Sequence, residues 1–352
     1  MRQNPIVKNE PICAMIAYFD PLQNEHRPEN FLVAGNKRPS PDVPERASLL
    51  LAGAKAAGWR IERPSDYGKA CLGSVHSAAY LHFLETIYDR WREIEGAGPE
   101  VIPNVHPIER DDTYPISPIG QAGFHQADTA CPIGPNTFVA AHASAQTALA
   151  AAETVALHGA PCYALCRPPG HHACRDRAGG FCFLNNAAIA AAHLTQTGWR
   201  VAILDIDVHH GNGTQDIFYD RADVLTVSLH TDPNHFYPFF RGHAQEIGHG
   251  PGEGANLNLP LARGTDFKGY RPALETALTR ISDFGAQIIV VALGLDTHIS
   301  DPFRGMAFQT ADFIALARAI AAIEKPLVIV QEGGYVSDDL TSNLTAFLTG
   351  IG

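Results

Sequence analysis

The chain has 352 residues, 45% of them hydrophobic, enough for a sizeable core in one large or two ordinary domains. Its formal net charge of −11 argues against a nucleic-acid-binding face, which needs a basic patch. No apolar run reaches membrane-spanning length, and the first ten residues are polar, so a cytoplasmic protein with no nucleic-acid or membrane partner is expected.

In chain order, the apolar run 12–19 reads as a buried strand. Helical patterns follow at 44–58 and 77–95. The stretch 96–118 breaks the pattern: it holds five prolines and little periodicity, as a functional loop or contact surface does. Its apolar residues Val101, Ile102, Val105, Ile108 and Ile116 are expected to become buried, against another subunit if not in the chain itself. A helix over 137–157, a strand over 162–166 and a helix over 185–197 come next. Strands at 201–207 and 224–230 precede a loop dense in His, Phe, Tyr and Gly at 231–254. Then come a helix at 270–284, a strand at 288–294, a helix at 310–324 and a strand at 326–331. Apolar strands alternating with amphipathic helices predict a parallel sheet covered on both faces. Seven cysteines, an odd number without a CxxC pair, give no disulfide framework and fit a reducing compartment.

Ligands of open α/β sheets bind beyond the carboxyl ends of the strands. Five such ends carry polar residues here: Arg167-Pro168-Pro169-Gly170-His171-His172, then His209-His210-Gly211-Asn212, then Ser228-Leu229-His230, then Gly294-Leu295-Asp296, and last Glu332-Gly333-Gly334-Tyr335. If the strand at 201 continues to 209, Asp205, Asp207 and His209 share one of its faces. That crowd of carboxylates and imidazole calls for a cation, with Gly-Asn-Gly then opening a loop. Asp207, His209 and Asp296 suit a catalytic Zn²⁺ with an open position, and Fe²⁺ accepts the same ligands. His171 and His172 suit general acid–base work. Tyr335, on a Gly-Gly turn, suits donation to an oxyanion. Taken singly, Asp-x-His is more often a surface pair and Gly-Gly-Tyr a turn beside a core aromatic. Their arrival at successive strand ends is what points to catalysis.

These residues resemble the histone deacetylase superfamily, with its arginase/deacetylase fold. The matching segments are 167–172, Gly179-Gly180-Phe181-Cys182-Phe183-Leu184-Asn185-Asn186, 205–214, Val227-Ser228-Leu229-His230, 294–297 and 332–335, in the family's order. Within the superfamily the chain is most similar to the bacterial acetylpolyamine amidohydrolases. The resemblance implies one α/β deacetylase domain over 1–352, with a central, mostly parallel sheet of about eight strands and helices on both faces. The loop 96–118 falls where those enzymes carry an insertion used for dimerisation and for narrowing the entrance. A homodimer, or a dimer of dimers, is therefore expected.

The resemblance also distributes roles. Zn²⁺ is expected on Asp207, His209 and Asp296, with His172 as general base, His171 as its electrostatic partner and Tyr335 polarising the carbonyl. Asn212 stands behind His172, and Asp205 behind His171. Structural K⁺ is implied at Asp205, Asp207, His209, Ser228 and Leu229, and again at Phe218, Arg221 and Val224. Gly180, Phe181 and Tyr237 are expected to line a substrate tunnel. Glu29 and the position of Ile119 are expected at its mouth, although polyamine-specific members have an acid where Ile119 stands.

The expected activity is hydrolysis of the acetyl amide of acetylated polyamines or related small amines. Acetyl-lysine in peptides or proteins is the alternative substrate. An arginase-like binuclear manganese site would need an Asp where Gly211 stands. A non-catalytic binding relative would have lost a ligand, the His pair or the Tyr, and none is missing.

Overall fold

The computed structural model describes residues 15–110 and 113–352. The strands are β1 (Ile16–Tyr18), β2 (Asn30–Val33), β3 (Asn36–Pro39), β4 (Arg60–Glu62), β5 (Cys162–Ala164), β6 (Val201–Asp205), β7 (Val224–Thr231), β8 (Asn256–Leu261), β9 (Ile288–Leu293) and β10 (Leu327–Gln331). The helices are α1 (Glu45–Ala56), α2 (Ala78–Arg92), α3 (Pro118–His125), α4 (Thr137–His158), α5 (Asn186–Gln196), α6 (Asn212–Phe218), α7 (Phe267–Phe284), α8 (Thr310–Ala321) and α9 (Leu340–Ile351). Eight strands form a sheet in the order β4-β1-β5-β10-β9-β6-β7-β8, and every pairing is parallel. β2 and β3 form a separate antiparallel hairpin.

Alternation along the central strands divides the core. Val201 and Ile203 of β6, Val290 of β9 and Val328 of β10 face one layer, which contains α2, α4 and α5. Ala202, Leu204, Val291 and Ile329 face the other, with α1, α7, α8 and α9. Strands buried on both faces need side chains that are apolar throughout, as these are. α4 and α5 pack against each other, and both bury small alanines in this layer, among them Ala148, Ala152, Ala188 and Ala191. Asp266 caps α7 by accepting from the Gly269 amide at 2.9 Å, and Gly285 ends it with φ +72°.

The chain leaves β5 for β6 across two places that β9 and β10 fill later. The carboxyl ends of β5, β10, β9 and β6 therefore open on one region, where such sheets bind ligands. Among the described residues no helix is long and apolar enough to cross a membrane.

Several expected elements are corrected. Residues 12–14 of the first strand, with Cys13, lie outside the described residues; the strand itself is Ile16–Tyr18. β6 stops at Asp205, so Asp207 and His209 are not on a strand face. Aspartates bend the backbone there: Asp205 Oδ1 accepts from the Asp207 amide at 3.1 Å, and Asp207 Oδ1 from the His209 amide at 2.8 Å. These side-chain bonds replace ladder bonds and make turns. Asn212 starts α6 rather than a loop. In the 96–118 stretch, Val101 is buried and bridges Ile133, whereas Val105, Ile108 and Ile116 are exposed.

Candidate metal centre and active site

Each strand end contributes one part of a buried polar cluster. The turn after β6 brings His209 Nδ1 to 3.1 Å from Asp207 Oδ1, and the loop after β9 sets Asp296 Oδ2 at 3.3 Å from the same nitrogen. Bonds of about 2.0–2.2 Å to a tetrahedral ion put its ligands roughly 3.3–3.5 Å apart. Asp296 Oδ2 is buried and accepts no hydrogen bond, which leaves a lone pair for a cation. Burial together with the Asp207 charge pushes the Asp296 carboxyl up to about 6, and burial with the Asp296 charge lifts Asp301 to about 8. So much buried negative charge fits a divalent cation. The donor set is one imidazole and two carboxylates, as Zn²⁺ or Fe²⁺ accepts.

Glycines set the spacing of these carboxylates. A Cβ on Gly333 would lie 2.1 Å from Asp296 Oδ2 and 2.4 Å from Asp207 Oδ2. Gly333 has no such atom, and its amide instead donates to Asp207 Oδ2 at 2.7 Å. A Cβ on Gly211 would lie 2.1 Å from Asp205 Oδ2, so that position has no room for the carboxylate of a second metal.

The loop after β5 carries the two histidines. Its backbone is held by Glu332, whose Oε2 accepts from the Gly170 amide at 2.6 Å and the His171 amide at 3.0 Å. His171 Nδ1 lies 2.9 Å from Asp205 Oδ2, and His172 Nδ1 lies 2.6 Å from Asn212 Oδ1. Burial disfavours a charge on both rings, but the outcomes differ. For His171 the Asp205 and Asp207 carboxylates outweigh burial and lift it to about 10. For His172 burial, aided by the positive charges of His171 and His209, drives the value well below normal. Adjacent imidazoles pushed apart in this way suit one charged and one neutral role. His171, Cys182 and Glu332 also place ligand atoms within 4.8 Å of one another. There, however, His171 Nδ1 is engaged by Asp205, and one Glu332 oxygen serves two backbone amides.

Tyr335 stands at the other side. Its amide donates to Asp301 Oδ2 at 3.2 Å, and the Arg46 guanidinium carbon lies 4.8 Å from the ring centre. Burial holds its phenol well above the usual range, so it stays a hydrogen-bond donor at neutral pH. Arg46 also donates to the carbonyls of Gly334 and Glu332, both at 2.7 Å, and to Asp42 Oδ1 at 2.6 Å. Arg167 reaches the same Asp42 oxygen at 3.1 Å. One buried carboxylate thus joins the loops after β5 and β10. Asp42→Ala strands two buried guanidinium groups and is expected to cost about 3–5 kcal/mol. Urea unfolding checks this, as a lower midpoint at unchanged slope.

Above these groups opens a cavity of about 1020 Å³. His172, His209, Gly180, Phe181, Tyr237 and Tyr335 line it. Phe303 and Phe236, which sequence reasoning missed, complete the floor: Phe236 stacks on the His209 ring at 4.9 Å, and Phe303 meets it edge-on at 5.2 Å. Arg46 and Asp42 were missed too. Arg46 was findable as a charge on the same helix face as the buried Leu50 and Ala54. Glu29 and Ile119 are exposed, and the structure does not bring them into the cavity lining. For the expected K⁺ positions, Asp205 faces Ser228 across β6–β7 with Leu229 next to it, and Ser228 Oγ is engaged by His230 Nδ1 at 2.8 Å. Phe218 ends α6, and Arg221 and Val224 flank the turn into β7.

The chain is similar to known proteins along nearly its whole length. Residues 40–351 match the family described as "Histone deacetylase domain". An acetylpolyamine amidohydrolase of Burkholderia pseudomallei (strain 1710b) is 45% identical over 340 residues, covering 96% of this chain and 99% of that one. Acetylpolyamine amidohydrolase 1 of Pseudomonas aeruginosa is 40% identical over 341 residues, covering 96% and 98%. The crystal structure of an acetylpolyamine aminohydrolase from Burkholderia pseudomallei superposes with a TM-score of 0.93 at 44% identity, over 96% of this chain and 99% of that one.

Proposed function

This chain belongs to the histone deacetylase family, whose members hydrolyse amides, and from that premise we propose that it removes acetyl groups from acetylated polyamines or related small acetylated amines. The observation that carries the reading is the convergence of His209 Nδ1, Asp207 Oδ1 and Asp296 Oδ2 below an aromatic-walled cavity. The nearly end-to-end likeness to proteins named for acetylpolyamines supports the substrate class. The exposed positions of Glu29 and Ile119 lend it nothing.

Asp207, His209 and Asp296 would hold a divalent cation, Zn²⁺ in our reading, and that cation when bound would provide Lewis-acid activation of water and of the amide carbonyl. His172 has Nδ1 turned to Asn212, which leaves Nε2 to accept the proton of the attacking water and return it to the leaving amine. His171, charged and anchored by Asp205, steadies negative charge beside it. Tyr335 keeps its proton and donates a hydrogen bond from its hydroxyl to the oxyanion as it forms. Gly180, Phe181 and Tyr237 guide the aliphatic chain. K⁺ would be held by the Asp205 carboxylate and main-chain oxygens of Asp207, His209, Ser228 and Leu229, and by those of Phe218, Arg221 and Val224. The fully exposed Ile108 and nearly fully exposed Ile116 favour a second copy of the chain over the 96–118 loop.

The test is kcat/KM on acetylputrescine, acetylcadaverine, acetylspermidine and acetyl-lysine peptides, together with metal analysis of the purified protein. One zinc per chain and a preference for the acetylated amines are expected. A preference of about tenfold or more for the peptides, roughly 1.4 kcal/mol, overturns the substrate assignment.

Asn212→Asp tests the base. A carboxylate beside His172 stabilises the imidazolium and raises its pKa. The base works only when neutral, so the acidic limb of the kcat/KM profile is expected to move to higher pH. A limb that stays in place removes His172 from that role.

A further inference from the structure

We propose that Asp128 is a positioning residue that sets both aromatic walls of the cavity against His172, an inference that rests on the deacetylase reading above. Neither wall belongs to a helix or strand. Phe181 holds φ at +68°, which a bulky residue rarely adopts without support. Tyr237 lies on the loop after β7. Asp128 Oδ2 accepts from the Tyr237 hydroxyl at 2.6 Å and from the Gly180 amide at 3.1 Å, while its Oδ1 accepts from the Ala130 amide at 2.8 Å.

Three segments of chain thus meet on one carboxylate. Two of them are also joined by backbone bonds, from the Ala127 amide to the Ala178 carbonyl and from the Ala178 amide to the His125 carbonyl, both at 2.8 Å. The third, residues 235–240, has no other hydrogen bond to either among the described residues. The bond from Tyr237 to Asp128 is its polar tie to the opposite wall.

That tie reaches the base. The Tyr237 ring meets the His172 ring edge-on, with centroids 4.9 Å apart at 89°. Gly180 adjoins both rings: a Cβ there would lie 2.4 Å from His172 Cδ2 and 3.0 Å from Tyr237 Cε1. Both groups that Asp128 holds therefore pack against the imidazole. Loss of the carboxylate frees both at once, and small misplacements of a catalytic group are costly.

The experiment compares Asp128→Ala, Asp128→Asn, Tyr237→Phe and the Asp128→Ala/Tyr237→Phe double variant in the metal-loaded enzyme. The substrates are acetylputrescine and the uncharged N-butylacetamide. Thermal unfolding is followed for every variant. Asp128→Ala and Tyr237→Phe are each expected to lower kcat roughly tenfold on both substrates, with KM changed less than about threefold. The double variant is expected to be no slower than the slower single, with the melting-temperature losses likewise non-additive. Asp128→Asn, which keeps an oxygen for Tyr237 and Gly180, is expected to recover most of the rate. A loss confined to KM for acetylputrescine, with Asp128→Asn as poor as Asp128→Ala, makes Asp128 an ammonium ligand and overturns the positioning role. Additive effects, or wild-type rates in the single variants, overturn it too. Absence of wild-type turnover on both amides overturns the small-amine reading instead, and the unfolding cycle then decides the coupling on its own.

Discussion

Tyr335→Phe is expected to lower kcat by about two to three orders of magnitude while the protein keeps its metal. The ring contacts survive the change: Phe303 stays edge-on at 5.0 Å, Phe181 at 5.8 Å, and Arg46 remains below the ring face. The backbone bond to Asp301 survives as well. Only a hydroxyl is lost, from a buried site that holds the phenol well above its usual range and so protonated at neutral pH. Removing one preorganised donor to a developing oxyanion costs about 3–4 kcal/mol of transition-state stabilisation, largely absent from the ground state. KM should therefore move little. Single-turnover rates with metal analysis on the same sample check this, and a near-wild-type kcat removes Tyr335 from the reaction.

Gly333→Ala is expected to weaken metal binding by roughly a hundredfold or more, with activity falling in step. The methyl group would enter the space of both ligand carboxylates, at 2.1 Å from Asp296 Oδ2 and 2.4 Å from Asp207 Oδ2. Neither can retreat freely. Asp207 is fixed by the amides of His209 and Gly333, and Asp296 Oδ1 accepts from the Val208 amide at 3.1 Å. The backbone angles of Gly333 are not in the left-handed region, so the effect is steric rather than conformational. Titration of the metal-free protein with Zn²⁺ against a competing chelator measures it. Unchanged affinity contradicts the placement of both carboxylates on one ion.

The central strands and the candidate metal-binding cluster were legible in the sequence for one reason: each is chemically uniform. β6, β9 and β10 are apolar on both faces until their last residues, β7 keeps one apolar face, and the ends of these strands deliver polar and charged residues. The edge strands β4 and β8 were not legible. β4 is three partly exposed residues including Arg60 and Glu62, and β8 is only half buried, so neither carries a continuous apolar run. α9 was missed because Thr341, Ser342, Asn343 and Thr345 interrupt its apolar pattern. At the site, Asp207 and His209 do lie together, but on turns built by the aspartates where a strand was expected. Phe303, Phe236 and Asp128 gained meaning only from where loops meet, and no local pattern records that. Glu29 and Ile119 were carried by resemblance alone, through loops whose path the local sequence does not determine.

The clasp of Arg46 and Arg167 on Asp42 also bears on how the site moves. It ties the His171-His172 loop and the Tyr335 loop to each other and to α1, and Glu332 seals the first loop's amides from below. Local opening of either loop would expose paired charge in the interior, so both belong to the same cooperative unit as the sheet itself. Breathing that admits substrate is left to the outer rim, where the β2–β3 hairpin and Phe239 and Phe240 are exposed. Amide hydrogen exchange is expected to be slowest in the two clasped loops and fastest along the exposed rim.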